Sequence, residues 1–167
     1  GPWREDAPNA PGSVYGRSKA DGESAVRDSG ARHAIVRPAW VFGAHGQNFV
    51  KTMLRLGAER TELRVVADQR GTPTHAGDLA AALVRITARL AADPALPSGT
   101  WHCANAGEAT WHALASEVFA CAARHGLPVP GRVIPIAPAD YPTPALRPAD
   151  SRLDCNRIGQ AFGISLP

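Results

Sequence analysis

Residues 8–23, PNAPGSVYGRSKADGE, and residues 34–43, AIVRPAWVFG, decide the fold of this 167-residue chain. The first stretch leaves a Pro- and Gly-punctuated loop and enters a helix expected over Ser13–Ser29. Ser13 is placed to cap it, and Gly30 lies just past its end, where a left-handed residue is wanted. In the second, Ala34-Ile35-Val36 is a short apolar run of buried-strand type, stopped by Arg37-Pro38. Helix, strand and loop in this order are the grammar of an α/β layer.

The pattern continues outward. Residues 47–59 carry Phe49, Val50, Met53, Leu54 and Leu56 at helical spacing. Leu63–Val66 and Thr100–Cys103 read as strands, with Ala76–Ala92 between them as an amphipathic helix that has Asp78 in its first turn. Residues 110–125 form a further helix, with Thr110 as cap and Gly126 and Pro128 at its end. Val133–Ile136 is the last strand expected, ahead of a Pro-rich stretch and a short helix near Asp154–Phe162. Few strands for so many helices imply a small sheet. Residues 1–14 read as loop.

Hydrophobic residues make up 44% of the sequence and charged residues 20%, the composition of one soluble domain. The net charge of +3 is mild and scattered, without the basic block or aromatic-rich basic strand of a nucleic-acid binder. No apolar run approaches a membrane span, and no signal peptide is visible, so a cytoplasmic protein is expected. Cys103, Cys121 and Cys155 have no CxxC or zinc-ligand spacing and read as free, buried thiols. The six histidines are scattered, and no metal site is expected.

Tyr15 and Lys19 stand at i and i+4 on the first helix, one turn apart on one face. A phenol ordinarily titrates near 10 and is a poor proton shuttle at neutral pH. A neighbouring cation favours phenolate and makes such a group a workable general acid for a carbonyl oxygen. The spacing alone is weak evidence, since most such pairs are two solvent-facing residues.

The surrounding strings are more specific. Residues 8–23 and 34–43 resemble the extended short-chain dehydrogenase/reductase superfamily. GQNFVKTML (46–54), LRVVADQRGTPTHAGDLA (63–80) and YPTPALRPADSRLD (141–154) resemble, in order and spacing, the dTDP-4-dehydrorhamnose reductase family over essentially the whole chain. The implied fold is α/β, the C-terminal part of a Rossmann-like reductase with a small substrate-binding α/β subdomain. Residues 1–45 would belong to the NADP-binding domain and 46–167 mostly to the substrate subdomain, with 76–105 returning to the Rossmann core.

The implied reaction is reduction of the C4 ketone of dTDP-4-dehydro-L-rhamnose by NADPH or NADH, within rhamnose and cell-surface polysaccharide synthesis. By this resemblance Tyr15 protonates the ketone oxygen, Lys19 assists it and binds the nicotinamide ribose, and Pro38 and Ala39 meet the cofactor. Trp40, Asn48, Gln69, Thr74 and Arg147 are the implied substrate-binding residues. Ordinary readings stay open: Trp40 as core, Asn48 as helix cap, Gly71 and Pro73 as turn formers, Arg147 paired with Asp150 or Asp154. A homodimer is compatible with the family.

Two family features are missing from the sequence. It has no GxGxxG or GxxGxxG cradle for the pyrophosphate. Ser13, the one hydroxyl residue before Tyr15, is too close along the chain to share a carbonyl with it. The 167 residues are therefore expected to be an inactive fragment with an exposed sheet flank. Alternatives are a non-catalytic, nucleotide-binding regulatory or scaffold relative, and a related nucleotide-sugar epimerase or dehydratase.

Overall fold

The structure is a computed structural model, and it describes residues 1–141 and 148–167. Helix α1 spans Val14–Asp28, with the Ser13 hydroxyl accepting from the Gly16 amide. Gly30 follows at φ 68°, as the cap chemistry requires. Strand β1, Ala34–Arg37, leads to the two-residue strand β2, Val41–Phe42. Then come helix α2 (Phe49–Glu59), strand β3 (Glu62–Val66), and short strands β4 (Arg70–Gly71) and β5 (Thr74–His75). Helix α3 (Ala76–Ala92), strand β6 (Gly99–His102), short strand β7 (Ala109–Thr110) and helix α4 (Trp111–Arg124) follow. Strand β8 (Arg132–Ile136), a 3-10 turn at Pro138–Asp140 and helix α5 (Asn156–Phe162) complete the order.

Two parallel strand pairs organise two hydrophobic clusters. β1 pairs with β6, Ala34 opposite Gly99 and Arg37 opposite His102. One face of that pair receives α3 and α5 through Ala82, Ile86, Trp101, Ile158 and Phe162. Trp101 meets Phe162 edge-on, with ring centroids 5.1 Å apart. β3 pairs with β8, Leu63 opposite Val133. Its face is covered by α2 and α4, which contribute Met53, Ala115 and Phe119 to the second cluster. Gly57 lets those helices approach, because a Cβ there would lie 2.6 Å from Phe119 Cε1.

The strand and helix expectations from periodicity are met within a residue or two, but the short strands were not anticipated. β2 pairs with β5 and β4 with β7, each over two residues. Nor are residues 1–14 wholly loop: Trp3 bridges Leu153. The Trp3 amide donates to the Arg152 carbonyl at 2.8 Å, and the Asp154 amide donates to the Trp3 carbonyl at 2.8 Å. Residues 149–151 are also bonded to Arg70, which ties this C-terminal segment to β4.

One further reading is corrected. Cys103 is buried, but Cys121 is exposed and Cys155 lies between. Helix α4 buries Ala115, Phe119 and Ala122, and Cys121 falls off that stripe. The closing helix α5 joins the first cluster, with α3 and β6. Among the described residues, β1 has β6 as its strand partner. Beside it lies an apolar hollow bounded by Ala34, Val36, Leu83, Ile86 and Leu90.

Candidate active site

Tyr15 and Lys19 stand in the first turns of α1, immediately after its cap. The Lys19 ammonium lies 5.3 Å from the centroid of the Tyr15 ring. Tyr15 is 72% exposed. Arg27 and Glu23, further along the same helix, reach the sheet face opposite α3. Arg27 donates to Thr100 Oγ1 at 3.2 Å. Glu23 accepts from Arg37 Nε and Nη2 at 2.6 and 2.5 Å.

β1 runs straight into Pro38, Ala39 and Trp40. Pro38 is exposed and Ala39 is buried. Trp40 has φ 42°, a left-handed conformation that costs a non-glycine residue about 1–3 kcal/mol. Three contacts hold it there. Its ring stacks on Trp111 at a centroid distance of 3.5 Å and 11° between planes. Its carbonyl accepts the Thr74 amide at 3.1 Å. Its indole lies over Gly71, where a Cβ would sit 2.2 Å from Cε2. Phe49 extends the aromatic group, 4.6 Å from Trp111.

Asn48 caps α2. Its Oδ1 accepts from the Lys51 amide at 3.1 Å, and its Nδ2 donates to the Gly43 carbonyl at 2.8 Å. Thr74 is fully buried, with its hydroxyl directed to the Thr72 carbonyl at 3.4 Å. As placed, it shapes the floor beneath Trp40 and presents no surface to a ligand. Gln69 is 8% exposed and lines an open groove of about 930 Å³. Phe49, Met53 and Leu56 of α2, Val65 of β3 and Trp111 form apolar walls of this groove, and Arg60, Arg64 and Tyr141 add polar groups. Arg147 lies outside the described residues.

The structure thus brings Trp40 to Trp111 and Gln69 to the groove, and engages Asn48 and Thr74 in hydrogen bonds within the fold. Sequence reasoning passed over Trp111, because its partner comes from a distant strand end. It also passed over Arg60 and Arg64. The alternation Leu63-Arg64-Val65 marks Arg64 as outward-facing, but not what it faces.

Nearby, Asp150 accepts from Arg152 Nε and Nη2, and Arg152 also pairs with Glu108. The Arg152 hydrogen bonds hold the Asp150 carboxyl down at about 2. His102 is buried with Nδ1 3.1 Å from the Trp3 carbonyl. Burial pushes its pKa down, against the charge of Glu5. Among the described residues no cluster of His, Cys, Asp and Glu could hold a metal ion, and no helix is long and apolar enough to cross a membrane.

A parallel pair with helices on both faces, a YxxxK helix on one of them and a second small α/β layer is the architecture of the C-terminal part of an extended short-chain dehydrogenase/reductase. A family model described as the RmlD substrate binding domain matches residues 1–167, and the chain belongs to that family. It is 46% identical to the dTDP-4-dehydrorhamnose reductase of Sinorhizobium fredii, over 99% of this chain and 56% of the relative. The enzyme of that name from Escherichia coli K12 is 41% identical, with the same coverage. A crystal structure of dTDP-4-dehydrorhamnose reductase from Bacillus anthracis in complex with NADP superposes with a TM-score of 0.86 at 34% identity. It covers 99% of this chain and 55% of that one. The chain spans about half the length of the relatives it matches.

Proposed function

We propose that this chain supplies the proton-donating, sugar-nucleotide-binding half of an NADPH-dependent reductase acting on the C4 ketone of dTDP-4-dehydro-L-rhamnose. The observation that carries the reading is the family match along the whole chain, with Tyr15 and Lys19 side by side and open on α1. The donor set fits the nicotinamide end of a dinucleotide: a free phenol, an ammonium for the ribose, and the Pro38–Ala39 backbone. The pyrophosphate cradle is not among these residues, so another segment is required to hold it. When bound, the dinucleotide supplies hydride to the ketone carbon.

The chain's own residues do the remaining work. Tyr15 gives its proton to the C4 oxygen. Lys19 keeps positive charge beside that phenol and bonds the ribose. Trp40, braced by Trp111, offers an apolar face to the deoxy-sugar. The groove takes the nucleotide, with Phe49 and Trp111 for the base and Arg60 and Arg64 for phosphate oxygens. Arg147 adds a further guanidinium for the diphosphate. Asn48 and Thr74 act through the elements they hold.

The test joins this chain to the cofactor-binding half of the Sinorhizobium fredii relative and measures reduction of the 4-keto sugar by NADPH. Tyr15→Phe is expected to lower kcat by about 10²–10⁴ with little change in KM. Undiminished kcat in that variant would refute the assignment.

A further inference from the structure

A helix of α1's length is ordinarily held by an apolar face, yet α1 buries none of its residues. The side it turns to the sheet is small or polar: Gly16, Ala20 and Glu23 are partly buried, whereas Tyr15 and Lys19 are exposed. Among the described residues, its side-chain bonds to other elements are the two from Arg37 to Glu23 and the one from Arg27 to Thr100. The first two form a bidentate guanidinium–carboxylate pair, the strongest and most directional type of ion contact. Burial opposes charge at both groups, but their mutual hydrogen bonding outweighs it: the Glu23 carboxyl is held below its ordinary pKa and Arg37 above its own.

The placement of this pair matters more than its strength. Tyr15, Lys19, Glu23 and Arg27 follow one another at i+4 and form a single ridge along α1. Glu23 lies two turns from Tyr15, about 12 Å along the axis. Its partner Arg37 is the last residue of β1, and the next three residues are Pro38, Ala39 and Trp40. One ion pair therefore joins the ridge that bears the phenol to the strand end that bears the strained tryptophan. The geometry points to Glu23 and Arg37 as positioning residues: their pair sets where Tyr15 and Lys19 stand against the Pro38–Trp40 turn. This rests on the reductase reading above, and it adds two residues that touch neither substrate nor cofactor.

Two measurements test it. In the 167-residue chain, Glu23→Gln is expected to speed hydrogen exchange of the α1 amides at least tenfold while those of β3 and α4 keep their protection. Unchanged α1 protection would overturn the proposal without assaying turnover. In the joined reductase, Glu23→Gln is expected to lower kcat ten- to hundredfold with KM for the sugar nucleotide within twofold. Arg37→Lys, which keeps the charge and loses the bidentate geometry, should fall between it and the parent. In a Tyr15→Phe background, Glu23→Gln should cost kcat little more, because the proton donor it positions is gone. An equal loss in both backgrounds, or a loss shared by KM, would show a general structural role and refute positioning. If Tyr15→Phe alone leaves kcat intact, the reductase reading fails, whatever Glu23→Gln does to exchange.

Discussion

Asp150 shows how much one residue's chemistry depends on a single neighbour. Arg152, two positions on, donates to it from Nε, Nη2 and its backbone amide, and these bonds hold the carboxyl at about 2 against an ordinary 3.8. A lowered folded-state pKa means the unfolded chain binds the proton first as pH falls. The stability from Asp150 is therefore fully present above about pH 4 and is lost as pH drops toward 2. Its side chain is 31% exposed, so solvent screens the pair and the effect stays modest. Thermal unfolding followed from pH 5 to pH 2 should show a steeper fall in Tm for the parent than for Asp150→Asn. Parallel curves would remove Asp150 from the acid response. The contribution belongs to the segment that Arg70 and Trp3 stitch in place, so it reports on the C-terminal strap and not on Tyr15.

At the scale of elements, the turn after β1 is decided by what packs on it. A tryptophan at φ 42° is strained, and the offset comes from two other elements: the Trp111 face of α4 and the bare backbone of β4 at Gly71. Stacked aromatic pairs contribute about 0.5–1.5 kcal/mol beyond their buried area, which is of the order of the strain. Gly71 is needed for its lack of a side chain, because an added Cβ meets the indole at 2.2 Å. Gly71→Ala should therefore destabilise the protein by about 1–3 kcal/mol, the usual cost of overpacking. It should also abolish the exciton-coupled circular dichroism of the Trp40–Trp111 stack. A variant that keeps both stability and the couplet would show that the stack does not rest on β4.

At the scale of the whole molecule, two clusters around two parallel strand pairs carry the fold, and the candidate site lies on loops and helix starts attached to both. The chain has the phenol, the ammonium and the groove but no glycine-rich cradle, so hydride chemistry and sugar binding should separate in it. The 167 residues alone are expected to give no turnover with NADPH and the 4-keto sugar. The nucleotide dTDP should still quench the Trp111 fluorescence on entering the groove. Steady turnover by the chain alone would contradict this division. The long helices, the four longer strands and the YxxxK ridge could be read from the sequence because caps, periodicity and i+4 spacing are properties of neighbouring residues. The two-residue strands could not, since two residues carry no period. Nor could the Trp40–Trp111 stack, the burial of Thr74, the exposure of Cys121 or the Glu23–Arg37 pair. Those are contacts between segments that only chain packing brings together, and the sequence by itself carries no distance between them.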